Sequence, residues 1–359
     1  MYRVDPVHQK VNTPHCLLTA RVIFCIAIGF LLAAIGPVSA MTYEVKNAQQ
    51  IQPFLHKMQD GDVLLLDPGI YTVNNIRFFS NITIEANTQA GGSPENTIID
   101  GLNGKNGIFR AAGNKVSLTI DNLTLKNGLE NDVKGYGGAI FSTGTVTVTS
   151  SVISNCSAGF GGAIFAKGPV AVTASIISDG IVGWNGNGGA IMSDLGPVTV
   201  TSSAISNCSA GYGGAIFSNG EPVTVTSSTI SGCSADAVGG AIWSMNDVML
   251  TSSTISGCSA DTAGGAIFSN HGSVTVTAST ISKCSEGQGK DIAASNGAVN
   301  YFQLTNNTPS QAASVNPNGA PPAAVPAAVT TPRSGLDAIS VLGAIALCGN
   351  IFLFRKDRN

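Results

Sequence analysis

The chain has 359 residues, 43 of them glycine, with 43% hydrophobic, 11% charged and 6% aromatic residues. So little charge argues against a helix-rich enzyme, whose exposed helix faces need Lys and Glu for solvation, and the hydrophobic share argues against disorder. A net charge of −3 argues against a nucleic-acid partner, which needs a basic stripe.

In chain order, the first signal is an apolar run from Val22 to Gly36, preceded by Arg3, Lys10 and Arg21 and followed by Val38-Ser39-Ala40. Basic start, apolar centre and small-residue end predict a secretory signal peptide over 1–40, cleaved after Ala40. Residues 41–61 are expected to cap the N-terminus, because Ile51, Phe54, Leu55 and Met58 lie on one face of a helix within Ala48–Met58. A solenoid needs such a cover at its open end.

From residue 62 the pattern changes to strands. Gly61–Tyr71, Ile82–Ile84, Ile98–Gly101 and Leu118–Leu125 are short β-branched or leucine-rich runs punctuated by Gly, Asn and Asp. Gly-Gly-Ala-Ile then recurs six times, starting at Gly137, Gly161, Gly188, Gly213, Gly239 and Gly264, at steps of 24, 27, 25, 26 and 25 residues. Between the copies lies a second block, Val146-Thr-Val-Thr-Ser-Ser-Val-Ile-Ser-Asn-Cys156, which returns at Val198, Val223, Val248 and Val274, with 170–180 a degenerate copy.

A period of this length means a solenoid, and Val-Thr alternation means strands rather than helices. The expected fold is all-β, a parallel β-helix over 62–304 with three-strand coils of about 25 residues and regular repeats over 135–285. Val146 and Val148 should face inward and Thr147 and Thr149 outward, with Gly-Gly at a tight corner. Nine or ten coils would make a rod of about 45 Å.

Residues 305–335, with six prolines and much Ala and Thr, read as an extended stalk. Leu336–Phe354 is an apolar stretch ending in Arg355-Lys356-Asp357-Arg358, expected to be a transmembrane anchor helix or a sorting tail within 336–359. The expected location is therefore the extracellular face of the envelope, tethered to the membrane.

The Gly-Asp-Val-Leu-Leu-Leu-Asp-Pro-Gly-Ile-Tyr segment resembles the opening coils of pectin-lyase-like right-handed parallel β-helices. The repeats are similar to those of polymorphic outer membrane proteins, in which GGA[ILV] is joined to F-x-x-N. Here the second motif is Ile-x-x-Cys, as at Ile153/Cys156 and Ile205/Cys208. The resemblance spans about residues 60–300 and implies a right-handed coil and a surface-displayed, adhesin-like, non-enzymatic role.

Candidate binding residues follow from the position after each Gly-Gly-Ala-Ile. Phe141, Phe165, Met192, Phe217, Trp243 and Phe268 occupy it, and alternation would turn them outward as an aromatic stripe. Such a stripe suits cell-surface glycans or proteins, although a bend or a covering loop would bury it. Cys156, Cys208, Cys233, Cys258 and Cys284 share one repeat position, read as a ladder of free thiols with disulfides as the alternative. Asp236 and Asp261 also align, most simply as solvated turn residues. No catalytic motif, metal-ligand spacing or cofactor signature is present. The rival expectation is a carbohydrate-active enzyme on the same fold, which would need converging carboxylates. Asn155 and Asn207 stand in N-x-S sequons, on the outward phase beside the thiol ladder.

Overall fold

The computed structural model describes residues 39–302 apart from Asn103, 133–134, Trp184 and 287–290. Beyond 302 it describes only the backbone of the short strands Leu304–Thr305, Thr308–Pro309 and Ala313–Val315. The expected signal peptide before Ser39, most of the stalk and the whole anchor segment lie outside the described residues. Among the described residues no helix is long and apolar enough to cross a membrane.

Alternation of apolar and polar residues, interrupted every three or four positions by a corner, produces a parallel β-solenoid of about ten coils. One coil runs through the strands Ile140–Ser142, Val146–Thr149, Val152–Ser154 and Ser157–Ala158. Stacked coils build sheets of nine, twelve, nine and six strands from these four positions. The expected three strands per coil are thus joined by a fourth. It is only two residues long in most coils, because the Cys corner and the Gly-Gly corner leave no more room between them.

Register is strict. Val146 pairs in turn with Val170, Val198, Val223, Val248 and Val274. These valines, the ladder beginning at Val148 and the isoleucines beginning at Ile140 and Ile153 form one continuous core. Thr147 and Thr149 face outward, as alternation requires.

Three corners of the coil each place one residue in the left-handed region: Ser150 at φ 46°, Asn155 at 51° and Gly161 at 62°. The first two positions repeat through the stack mostly with non-glycine residues, each costing about 1 kcal/mol or more. Side chains compensate. After Ser150, the buried Ser151 donates from Oγ to the Thr149 carbonyl at 2.6 Å, and its N–H donates to Ser175 Oγ at 3.1 Å. The same N–H to Oγ link continues through Ser203, Ser228, Ser253 and Ser279, an internal serine ladder that the sequence reading missed. At the next corner Asn155 Nδ2 donates to Asn127 Oδ1 at 2.7 Å in the coil before.

The last strand of the parallel stack among the described residues is Val299–Phe302. At the other end, Thr42–Val45 pairs with Val63–Leu66. The predicted helix is shorter than its pattern: a 3-10 turn at Ala48–Gln50 runs into Ile51–Leu55, which buries Ile51 and Leu55.

Candidate functional site

The position after each Gly-Gly-Ala-Ile does lie on the outer side of its sheet, yet it is not open. Ile140 and its equivalents enter the main core, whereas Phe165, Met192, Phe217 and Trp243 form a second, separate hydrophobic cluster. Their exposures are 3%, 7%, 6% and 9%. Phe141 and Phe268, at the two ends, are half-buried. The expected exposed stripe is therefore corrected to a buried one. Two causes act together. Parallel register sets each ring against the next, with Phe217 and Trp243 stacked at 4.2 Å and Phe141 and Phe165 at 5.7 Å. Phe160, Val238 and Met245 also pack over the row from the flanking corners.

The row is closed at its N-terminal end by a charge. Arg110 occupies the same column one coil earlier, in register with Phe141. Its guanidinium lies 5.1 Å from the Phe141 ring centre, pairs with Glu130 and reaches the Tyr136 carbonyl at 3.4 Å. A planar cation on a ring face extends the stack and satisfies the buried Glu130 carboxylate.

One part of the row remains reachable. A depression of about 380 Å³ is lined by Tyr136, Phe141, Phe160, Phe165, Lys167, Met192 and Asp194. Tyr136 is 38% exposed and packs on three aromatic neighbours, closest to Phe165 at 4.5 Å. Lys167 is the only lysine or arginine between Gly135 and Ser282 and makes no ion pair among the described residues. It also borders a second depression of about 370 Å³, which holds Lys115, Pro169 and the exposed Leu195. Asp194 accepts from Asn219 Nδ2 at 3.2 Å. Aromatic edges flanked by one free cation and one carboxylate can hold a ring by apolar contact and its substituents by hydrogen bonds. Of the predicted stripe, Phe141, Phe165 and Met192 line this depression, while Phe217, Trp243 and Phe268 do not. Tyr136 was missed, although its place just before a Gly-Gly corner, shared with Phe160 and Tyr212, was a readable signal.

The five cysteines of the ladder are free thiols, with Cys156, Cys208, Cys233 and Cys258 inside the main core. Each donates to the carbonyl two residues back, Cys156 Sγ to Ser154 O at 3.2 Å for example. Burial pushes the Cys156 thiol up to about 12. Hydrogen bonding to the Cys208 sulfur, aided by burial, holds Cys233 up as well. Protonated, buried thiols are poor nucleophiles and poor ligands. Asp236 and Asp261 share a column, since Ser234 and Ser259 are register partners, and both are exposed. Among the described residues no cluster of three or more His, Cys, Asp or Glu side chains is arranged to hold a metal ion.

A different carboxylate pair was not anticipated. Glu85 and Asp121 are register partners in adjacent coils on the outer face of the twelve-stranded sheet. Desolvation raises the Glu85 carboxyl above its ordinary value, and the Asp121 charge raises it further. Desolvation also raises Asp121. Asn155 and Asn207 are exposed, on the outward phase. Comparison with protein-family models, with curated proteins and with solved structures finds no match for the chain.

Proposed function

We propose that the chain is a non-enzymatic rod of the cell envelope, displayed on the outer face, which engages a cell-surface glycan or protein through the depression around Tyr136. The burial of the aromatic row carries this reading. Rings stacked along the coil axis stiffen the rod, and contact with a partner is left to the depression where the exposed Tyr136 meets Lys167, which has no ion-pair partner among the described residues. In this reading residues 1–40 are a secretory signal, 41–61 the N-terminal cap, 305–335 a stalk and 336–359 the membrane anchor. The coil is right-handed, and its repeats are of the polymorphic outer membrane protein type. Support comes from the Gly-Gly-Ala-Ile period and from the register it produces.

The test is binding of the purified rod to a glycan array and to envelope proteins, comparing wild type with Tyr136→Ala and Lys167→Ala. Loss of binding in both variants, with an unchanged melting temperature, is expected. Binding that survives both substitutions would sink the proposed site. A second reading, a glycoside-cleaving enzyme, draws only on the Glu85–Asp121 pair, because a raised carboxyl beside another is what acid catalysis requires. Release of reducing sugar ends by wild type but not by Glu85→Gln would replace the first reading with the second.

A further inference from the structure

Asp62 is an ionisable side chain outside the candidate site. It is 2% exposed, and backbone N–H groups occupy both of its oxygens. Met41 N–H donates to Oδ1 at 2.7 Å and Gln59 N–H to Oδ2 at 2.8 Å. Among the described residues no lysine or arginine pairs with it. A buried carboxylate without a cation is costly to keep. Met41 is held from its other side too, since Val63 N–H donates to its carbonyl at 2.9 Å. It directly precedes the first strand, Thr42–Val45. Ser39 and Ala40, on the upstream side, are exposed.

We propose that the Ala40–Met41 bond is the maturation cleavage site and that Asp62 is the built-in counter-ion for the α-ammonium group that cleavage creates. The inference rests on reading residues 1–40 as a secretory signal. In the cleavage step water adds across the amide. The C–N bond breaks, the carbonyl carbon keeps the water oxygen as the new carboxylate of Ala40, and both water protons end on the Met41 nitrogen. A neutral nitrogen with one N–H thus becomes a cation with three, at a place where an acceptor oxygen already stands at 2.7 Å. The hydrogen bond, already charge-assisted on the carboxylate side, becomes an ion pair with charge on both partners. Cleavage would then lock the first strand onto the corner at Gly61-Asp62, in the terminal coil that has a neighbour on one side only.

The test uses the full chain secreted by a competent host. Intact mass and N-terminal sequencing should give Met41 as the first residue. A carboxylate partner raises an α-amine above its usual value of about 8. Its contribution to stability is therefore complete below that value and is lost as pH rises through the raised one. The comparison is a variant with serine inserted between Ala40 and Met41, which moves the ammonium one residue away and leaves Asp62 its amide donor. At pH 8, reductive methylation of the wild-type α-amine should be about fivefold slower than in the insertion variant, as a shift of one pKa unit from about 8 implies. The wild-type melting temperature should fall between about pH 8 and 10, and the variant's should not. A mature N-terminus other than Met41 would overturn the cleavage site. A Met41 N-terminus that methylates and melts like the insertion variant would overturn the Asp62 pairing and leave the secretory reading intact.

Discussion

Glu85 and Asp121 show how a one-dimensional stack converts sequence into electrostatics. Identical register places residues one rung apart, so any two acids in one column become neighbours. Both carboxyls are raised in the folded chain. Folding is therefore unopposed by this pair at acid pH, where both are protonated, and loses stability as pH rises through the raised values. Asp121→Asn should raise the melting temperature at pH 7 and flatten its decline between about pH 4 and 7. The gain should stay below about 1 kcal/mol, because solvent screens an outer face. An unchanged pH profile in thermal melts would show that the two side chains turn away from each other. The thiols give a second check at this scale. Cys208, Cys233 and Cys258 should resist iodoacetamide until the rod unfolds, whereas half-buried Cys284, in the last Cys rung, should react first. Peptide mapping of alkylated sites over time reads that order directly.

At the scale of the coil, the corners decide what the strands can do. The second glycine of each pair sits where coils touch backbone to backbone. A Cβ on Gly214 would fall on the Gly240 and Ser234 carbonyl oxygens of the next coil. Gly214→Ala should cost about 1–3 kcal/mol, the usual price of overpacking, measurable as a shift in the denaturation midpoint. Gly257 is the control, since it shares the left-handed column of Asn155 and Asn207 and nothing crowds it. Gly257→Asn should be close to neutral, because asparagine tolerates that conformation. These corners also mark where the sequence stops being legible. The Val-Thr and Gly-Gly-Ala-Ile blocks reveal period, inward face and register, because burial imposes alternation. The fourth strand stays hidden, since two residues such as Ser157-Ala158 carry no period. The burial of Phe217 and Trp243 stays hidden too. Alternation says which side of a sheet a residue takes, and only the packed flanks say whether Phe160, Val238 and Met245 cover it. Tyr136 differs: its repeated place before the Gly-Gly corner is visible in the sequence, but its contact with the row is not, because it reaches the row from a corner outside any strand.

Across the whole molecule, every coil meets only its two neighbours, so stability should be a sum of coil and interface contributions. Residues 213–238 form one complete coil, from one Gly-Gly-Ala-Ile to the next. Deleting them joins Tyr212 to Gly239 and brings Trp243 onto Met192, preserving every ladder while removing the Phe217–Trp243 stack. The shortened chain should fold with the same β-sheet circular dichroism signature and a moderately lower melting temperature. Trp243→Ala in the full chain should lose about 3–5 kcal/mol, as for a buried aromatic, because no neighbouring ring can close the gap. The two results constrain each other. If the coil deletion is tolerated and Trp243→Ala is severe, the aromatic row holds adjacent coils together, and repeats can be gained or lost without loss of the fold. If the deletion abolishes folding, cooperativity extends beyond nearest neighbours, and the rod's length is itself part of what makes it stable.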